Sequence, residues 1–122
     1  MKTKKFSFRE RGGSFRFAIN GIKAFFRQEH NAWIHLAATI AVFIAAWWLK
    51  LSRNEIISLV IVTGFVWGAE IFNTAIEKIM DFIAPDRHPE VKLIKDLAAG
   101  AVLVAALIAL ITGAIIFIPK FF

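Results

Sequence analysis

The stretch Ile56-Ile-Ser-Leu-Val-Ile-Val-Thr-Gly-Phe-Val-Trp-Gly-Ala69 is uncharged from end to end and runs directly into Glu70-Ile-Phe-Asn-Thr-Ala-Ile-Glu-Lys-Ile-Met-Asp81. The uncharged part falls short of the roughly 20 residues that an α-helix needs to cross about 30 Å of hydrocarbon. A span that begins at Ile56 must therefore carry Glu70 into the membrane. At about 100° per residue, Thr74, Glu77 and Asp81 fall within roughly 40° of Glu70 on a helix, with Asn73 some 60° to its side. The segment reads as an apolar rod with one polar stripe. Ionisable groups at membrane depth mark function by default, because each is costly there unless paired or hydrated.

Two further runs have spanning length. One covers about 32–50, where only His35 interrupts the apolar pattern before Lys50, and the other covers 97–119 and is uncharged until Lys120. The later run holds Ala98-Ala99-Gly100-Ala101, Ala105, Ala106 and Ala109, small residues that let transmembrane helices approach closely. With the stripe-bearing span at about 56–80, the expectation is an all-α integral membrane protein of three transmembrane helices forming one domain over 1–122. Composition agrees: 58% of residues are hydrophobic and the mean hydropathy is +0.64. No cysteine is present, so thiolate chemistry and disulfides are excluded.

Ahead of the first span, Gly12-Gly13 is read as a break, after which Ser14 caps a helix over 14–28. Its apolar residues Phe15, Ala18, Ile19, Ile22, Phe25 and Phe26 recur at three- and four-residue intervals, and Arg16, Asn20, Lys23 and Arg27 take the other face. Such a helix lies in the interface plane. No cleavable signal peptide is legible before it. Eight Lys and Arg precede the first span and Lys78, Arg87, Lys92 and Lys95 sit between the second and third, against Lys50 and Arg53 in the first loop and Lys120 at the end. The positive-inside rule puts the N-terminus and second loop in the cytoplasm. The net charge of +6 suits anionic inner-leaflet lipid, and no basic patch interleaved with stacking aromatics suggests nucleic acid.

Depth assigns different work to the carboxylates. Entering near Glu55, a rise of 1.5 Å per residue puts Glu70 about 22 Å in and Glu77 about 10 Å further, at the cytoplasmic interface. A buried Glu suits proton abstraction, whereas an interfacial carboxylate suits a hard divalent cation. Glu29, directly before the first span, is expected at the same interface as Glu77, where the two could hold Mg²⁺ with phosphate oxygens completing its shell. Across the second loop, Ala84-Pro85-Asp86-Arg87-His88-Pro89 reads as a turn, and Lys95-Asp96 as the start of the third span, a cation for phosphate and an acid that caps the helix or orients the ligand. No P-loop or protein-kinase signature appears.

The runs E-I-F-N-T-A-I-E-K-I-M-D at 70–81 and K-D-L-A-A-G-A-V at 95–102, with Glu29 in E-H-N-A-W-I-H, resemble the signature of the small prokaryotic diacylglycerol kinase family, which includes undecaprenol kinases. That resemblance covers nearly the whole chain. It implies a homotrimer in the bacterial inner membrane, with active sites between subunits that pass the γ-phosphate of ATP to a lipid hydroxyl, diacylglycerol first and undecaprenol as the alternative. It also implies Glu70 as general base supported by Asn73, and Glu29 and Glu77 as ligands of Mg²⁺ and ATP. Lys95, Asp96, Phe17, Arg87 and His88 would contact nucleotide, and Lys23 and Ala99 would join Glu70 around the lipid. Phe17 stands where the family has a hydroxyl-bearing aromatic, and the residue types of the 86–88 loop differ from the family's. The E-H-N-A-W-I-H stretch is closer to the undecaprenol kinase branch.

Two rival readings come from other classes. A proton-coupled transporter would need Glu70 alone, leaving Glu29, Glu77 and Asp96 without work. A purely structural subunit could use the stripe only as a polar network that specifies assembly.

Overall fold

The computed structural model describes residues 5–86 and 88–122, all of them in helices or short connections. Four helices follow one another: α1 (Phe8–Gln28), α2 (His30–Trp48), α3 (Arg53–Ile83) and α4 (Pro89–Phe121). The last three are long and apolar enough to cross a membrane. At 31 and 33 residues, α3 and α4 measure about 46 and 50 Å, so both outreach a hydrocarbon core of about 30 Å.

Helix α1 starts earlier than the Gly12-Gly13 break suggests. Ser7 is its cap, accepting a hydrogen bond from the Glu10 amide, and both glycines lie inside the helix. A glycine costs a helix only about 1 kcal/mol, which a cap can offset. Ser14 is therefore no cap, and its hydroxyl donates to the Glu10 carbonyl one turn back. The helix that carries the 97–119 run likewise starts earlier than that run. Pro89 at the first helical position and His88, whose Nδ1 accepts from the Glu90 amide at 3.0 Å, open α4, so Lys95 and Asp96 sit well inside it and Asp96 caps nothing.

The connection from α2 to α3 is tightly specified. Lys50 adopts a left-handed φ of 54°, and Leu51 N–H reaches back to the Ala46 carbonyl at 3.1 Å, closing α2 with a Schellman-type cap. Ser52 and Glu55 then form a reciprocal capping box that starts α3. The apolar core sits at this end: Ala46, Leu51, Leu59 and Ile116 are buried, flanked by Val42, Phe43, Leu49 and Phe117. Lys120 at the end of α4 pairs with Glu55 at 3.3 Å.

Helices α3 and α4 form an antiparallel hairpin along their whole length, whereas α1 and α2 touch α3 in only a few places. Two of the small residues of α4, Ala98 and Ala105, are buried two turns apart on one face, while Ala99, Ala101 and Ala106 remain exposed. Large apolar side chains such as Phe65, Phe72, Leu110 and Ile115 point outward, as expected of a surface whose solvent is lipid.

Candidate active site

Two hydrogen bonds fix where α2 crosses α3. His35 Nε2 lies 2.8 Å from Glu70 Oε1, and Trp67 Nε1 donates to Thr39 Oγ1 at 2.9 Å. Four residues forward on α2 thus match three back on α3, an antiparallel register. Followed the other way, that register carries Glu29, the residue between α1 and α2, to the level of Ile76 and Glu77. The expected neighbourhood of Glu29 and Glu77 is thereby consistent with the helix geometry. Both residues are partly buried, and neither takes part in an ion pair among the described residues. Glu29 caps α2 through its backbone alone, so its carboxylate is not consumed by the helix start.

The polar groups of α3 stack in levels. First from the α2–α3 end is Glu70, with 15% of its side chain exposed, against His35 at 29%. Thr74, one turn on, is the one buried polar residue among those described. Glu77 follows, about 10 Å from Glu70 along the axis. Last is Asp81, which takes the Lys95 ammonium at 2.6 Å across the α3–α4 hairpin. Lys95 feels the charge of Glu77 as well. Asp96, three-fifths exposed, pairs with Lys92 one turn away. An open pocket between Asp81, Pro85, His88, Lys92, Lys95 and Asp96 forms the mouth of the arrangement.

Other expected residues lie further out. Asn73 lines the groove between α3 and α4 with Ala98 and Ala101, and its Oδ1 is buried without a partner. Its carboxamide thus does not bond Glu70, whose partner is His35. Phe17, Lys23 and Ala99 are exposed, and His88 is engaged in capping α4. Arg87 lies outside the described residues. Around the Glu70 level, Phe25, Phe26, Trp33 and Trp67 form a cluster with edge-to-face contacts at centroid separations of 5.1 and 6.2 Å, and Trp33 Nε1 donates to the Phe26 carbonyl at 3.1 Å. These aromatics knit the α1–α2 corner to α3.

Among the described residues no three His or acidic side chains converge into a cage that could hold a metal unaided. The donors at the Glu29 and Glu77 level are nonetheless all oxygen, and two unpaired carboxylates match the way Mg²⁺ is held when phosphates and water fill most of its octahedron. The residues fit a metal that arrives with a phosphate ligand.

The residue missed by sequence reasoning is His35. It was legible only as an interruption in an apolar run, although the rule that singles out Glu70, an ionisable group at membrane depth, applies equally to an imidazole. Thr39 and Trp67 gave no separate signal.

Comparison with known proteins converges on the same segment. Residues 16–117 match the family model described as prokaryotic diacylglycerol kinase. Similar proteins include the undecaprenol kinase of Bacillus subtilis (strain 168), 42% identical over 107 residues that make up 88% of this chain and 87% of the relative. The diacylglycerol kinase of Synechocystis is 36% identical over 87% of this chain and 61% of its own length. That of Escherichia coli (strain K12) is 35% identical over 77% of this chain and 72% of its own. Since the match runs from the middle of α1 almost to the end of α4 and takes in every level of the polar stripe, the chain belongs to the prokaryotic diacylglycerol kinase family of lipid kinases.

Proposed function

We propose that this protein transfers the γ-phosphate of ATP to the hydroxyl of a membrane lipid at the level of Glu70. The observation that supports the reading is the antiparallel register of α2 and α3, set by the His35–Glu70 and Trp67–Thr39 contacts; extended along both helices it projects Glu29 towards the level of Glu77. In this reading Glu70 accepts the lipid hydroxyl's proton while the alkoxide oxygen bonds to the γ-phosphorus and the bond to the β-phosphate bridging oxygen breaks. Glu29 and Glu77 would hold Mg²⁺ that arrives with the nucleotide. That ion would neutralise charge on the transferring group. Lys95 contacts phosphates from the mouth, exchanging Asp81 for them, with Asp96, His88, Arg87 and Phe17 around the nucleotide and Lys23 and Ala99 near the lipid. Positioning and electrostatics supply most of such catalysis.

The charge bias supports a bacterial inner-membrane topology with the N-terminus and the α3–α4 turn in the cytoplasm. A homotrimer is supported by the groove that Gly64, Gly68, Ala69, Asn73, Ala98 and Ala101 leave open, in which the Asn73 oxygen still lacks a donor. Undecaprenol is the favoured acceptor, because the Bacillus subtilis relative at 42% identity, matched over 87% of its own length, is an undecaprenol kinase. Diacylglycerol is the second reading, supported by the Synechocystis and Escherichia coli relatives. The test is purified protein in mixed micelles with Mg·ATP and either lipid, scored by phosphorylated lipid. Faster turnover of undecaprenol is expected, the reverse order would favour the second reading, and no labelled lipid from either would refute the kinase assignment.

A further inference from the structure

We infer that His35 is the positioning residue for Glu70: its Nε2–H donates to Oε1, holds the carboxylate in one orientation, and leaves Oε2 presented to the acceptor hydroxyl. The inference deepens the kinase reading and rests on Glu70 being the base.

The geometry supports it at three points. The Nε2 to Oε1 separation of 2.8 Å is that of a charge-assisted hydrogen bond, and an ionised carboxylate can only accept, so the proton belongs on Nε2. The imidazole is itself held. Thr39 Oγ1 donates to the His35 carbonyl at 2.7 Å, and Trp67 Nε1 donates to that same hydroxyl at 2.9 Å, so the α2 turn bearing His35 is pinned to the α3 turn bearing Glu70. The Trp67 ring flanks the imidazole at a centroid distance of 6.2 Å. Finally, among the described residues His35 is the one side chain bonded to Glu70, and Oε2 has no such partner.

A flexible Glu would sample several rotamers at the moment when the hydroxyl and the γ-phosphate must align. Fixing it beforehand removes that loss, and misplacement of a reacting group by about 1 Å can cost on the order of 100-fold in rate. The alternative is that the pair only clasps two helices, in which case its loss would alter stability and leave turnover per folded molecule untouched.

The two are separated by His35→Ala and His35→Gln. The Gln amide nitrogen stands close to where Nε2 does and keeps a donor, while Ala removes it. His35→Ala should lower kcat roughly 10- to 100-fold with the nucleotide KM unchanged, and His35→Gln should recover most of that loss. On a Glu70→Gln background, His35→Ala should have no further effect. Histidine ¹⁵N spectra of the intact protein, assigned by difference against His35→Ala, should show Nε2 as the hydrogen-bearing nitrogen. Wild-type turnover by His35→Ala, a His35→Gln as slow as His35→Ala, or a bare Nε2 would each overturn the inference. If wild-type protein phosphorylates no lipid, the kinase reading falls instead, and the spectrum alone still decides whether His35 donates to Glu70.

Discussion

The two ends of the bundle are built on opposite principles. Where α2 turns into α3, backbone geometry is over-determined: a left-handed residue, a Schellman-type cap and a capping box lie within a few residues of each other, beside a small apolar core of four buried side chains. Where α3 turns into α4, the same hairpin ends in charged, exposed side chains around an open pocket. One end contributes stability and the other leaves groups available, which teaches that helix register is set far from where it is used. The α2–α3 end fixes the axial offset, and the register read at His35 and Thr39, carried on along both helices, projects Glu29 towards the level of Glu77.

Substitutions should respect that division, and the sharpest test is at the polar end. Glu70→Gln should cut lipid phosphorylation by at least about 100-fold, the usual contribution of a general base, while leaving helicity and the unfolding midpoint near wild type. Retained turnover would remove Glu70 from the chemistry. Leu59, 2% exposed in the core, should behave in the opposite way. Leu59→Ala should cost about 2 kcal/mol or more through the cavity it leaves, read as an earlier unfolding midpoint in denaturing micelles, with turnover per folded protein preserved. Should that variant instead lose activity without losing stability, the separation of the two ends would fail.

Smaller effects refine the comparison. Ser52→Ala removes half of the capping box and should cost about 1 kcal/mol, again without a kinetic signature. Lys95→Ala breaks the exposed pair with Asp81 and should barely move the unfolding midpoint, yet should raise the nucleotide KM if Lys95 meets phosphate. Equal KM values would confine Lys95 to the hairpin. The smallest change is a gain: Lys50→Gly relieves a left-handed non-glycine residue and should stabilise by about 0.5 to 1 kcal/mol, measurable as a later midpoint.

Much of this architecture is legible in the residues themselves. A span of roughly 20 apolar residues leaves little choice of structure in lipid, because the backbone must satisfy its own hydrogen bonds. The polar stripe followed from helical periodicity alone. The start of α1 was obscured because a glycine pair suggests a break, although its cost is small beside that of leaving a capped and amphipathic helix unformed. The start of α4 was obscured by weighing Asp96 as a cap when Pro89 and His88 already supplied one. Hardest to see was the bond between His35 and Glu70, 35 residues apart, since it depends on how two helices slide past each other and no local pattern encodes that.

Helix α3 is one unbroken rod of 31 residues, and every acidic level rides on it. Its tilt is consequently a ruler for the whole acidic ladder: a thicker or thinner bilayer that reorients the rod moves Glu70, Glu77 and Asp81 together relative to the headgroups. Their mutual spacing cannot adapt. Membrane thickness is thus a variable that acts on where the acceptor must wait and leaves the distances among the acids unchanged.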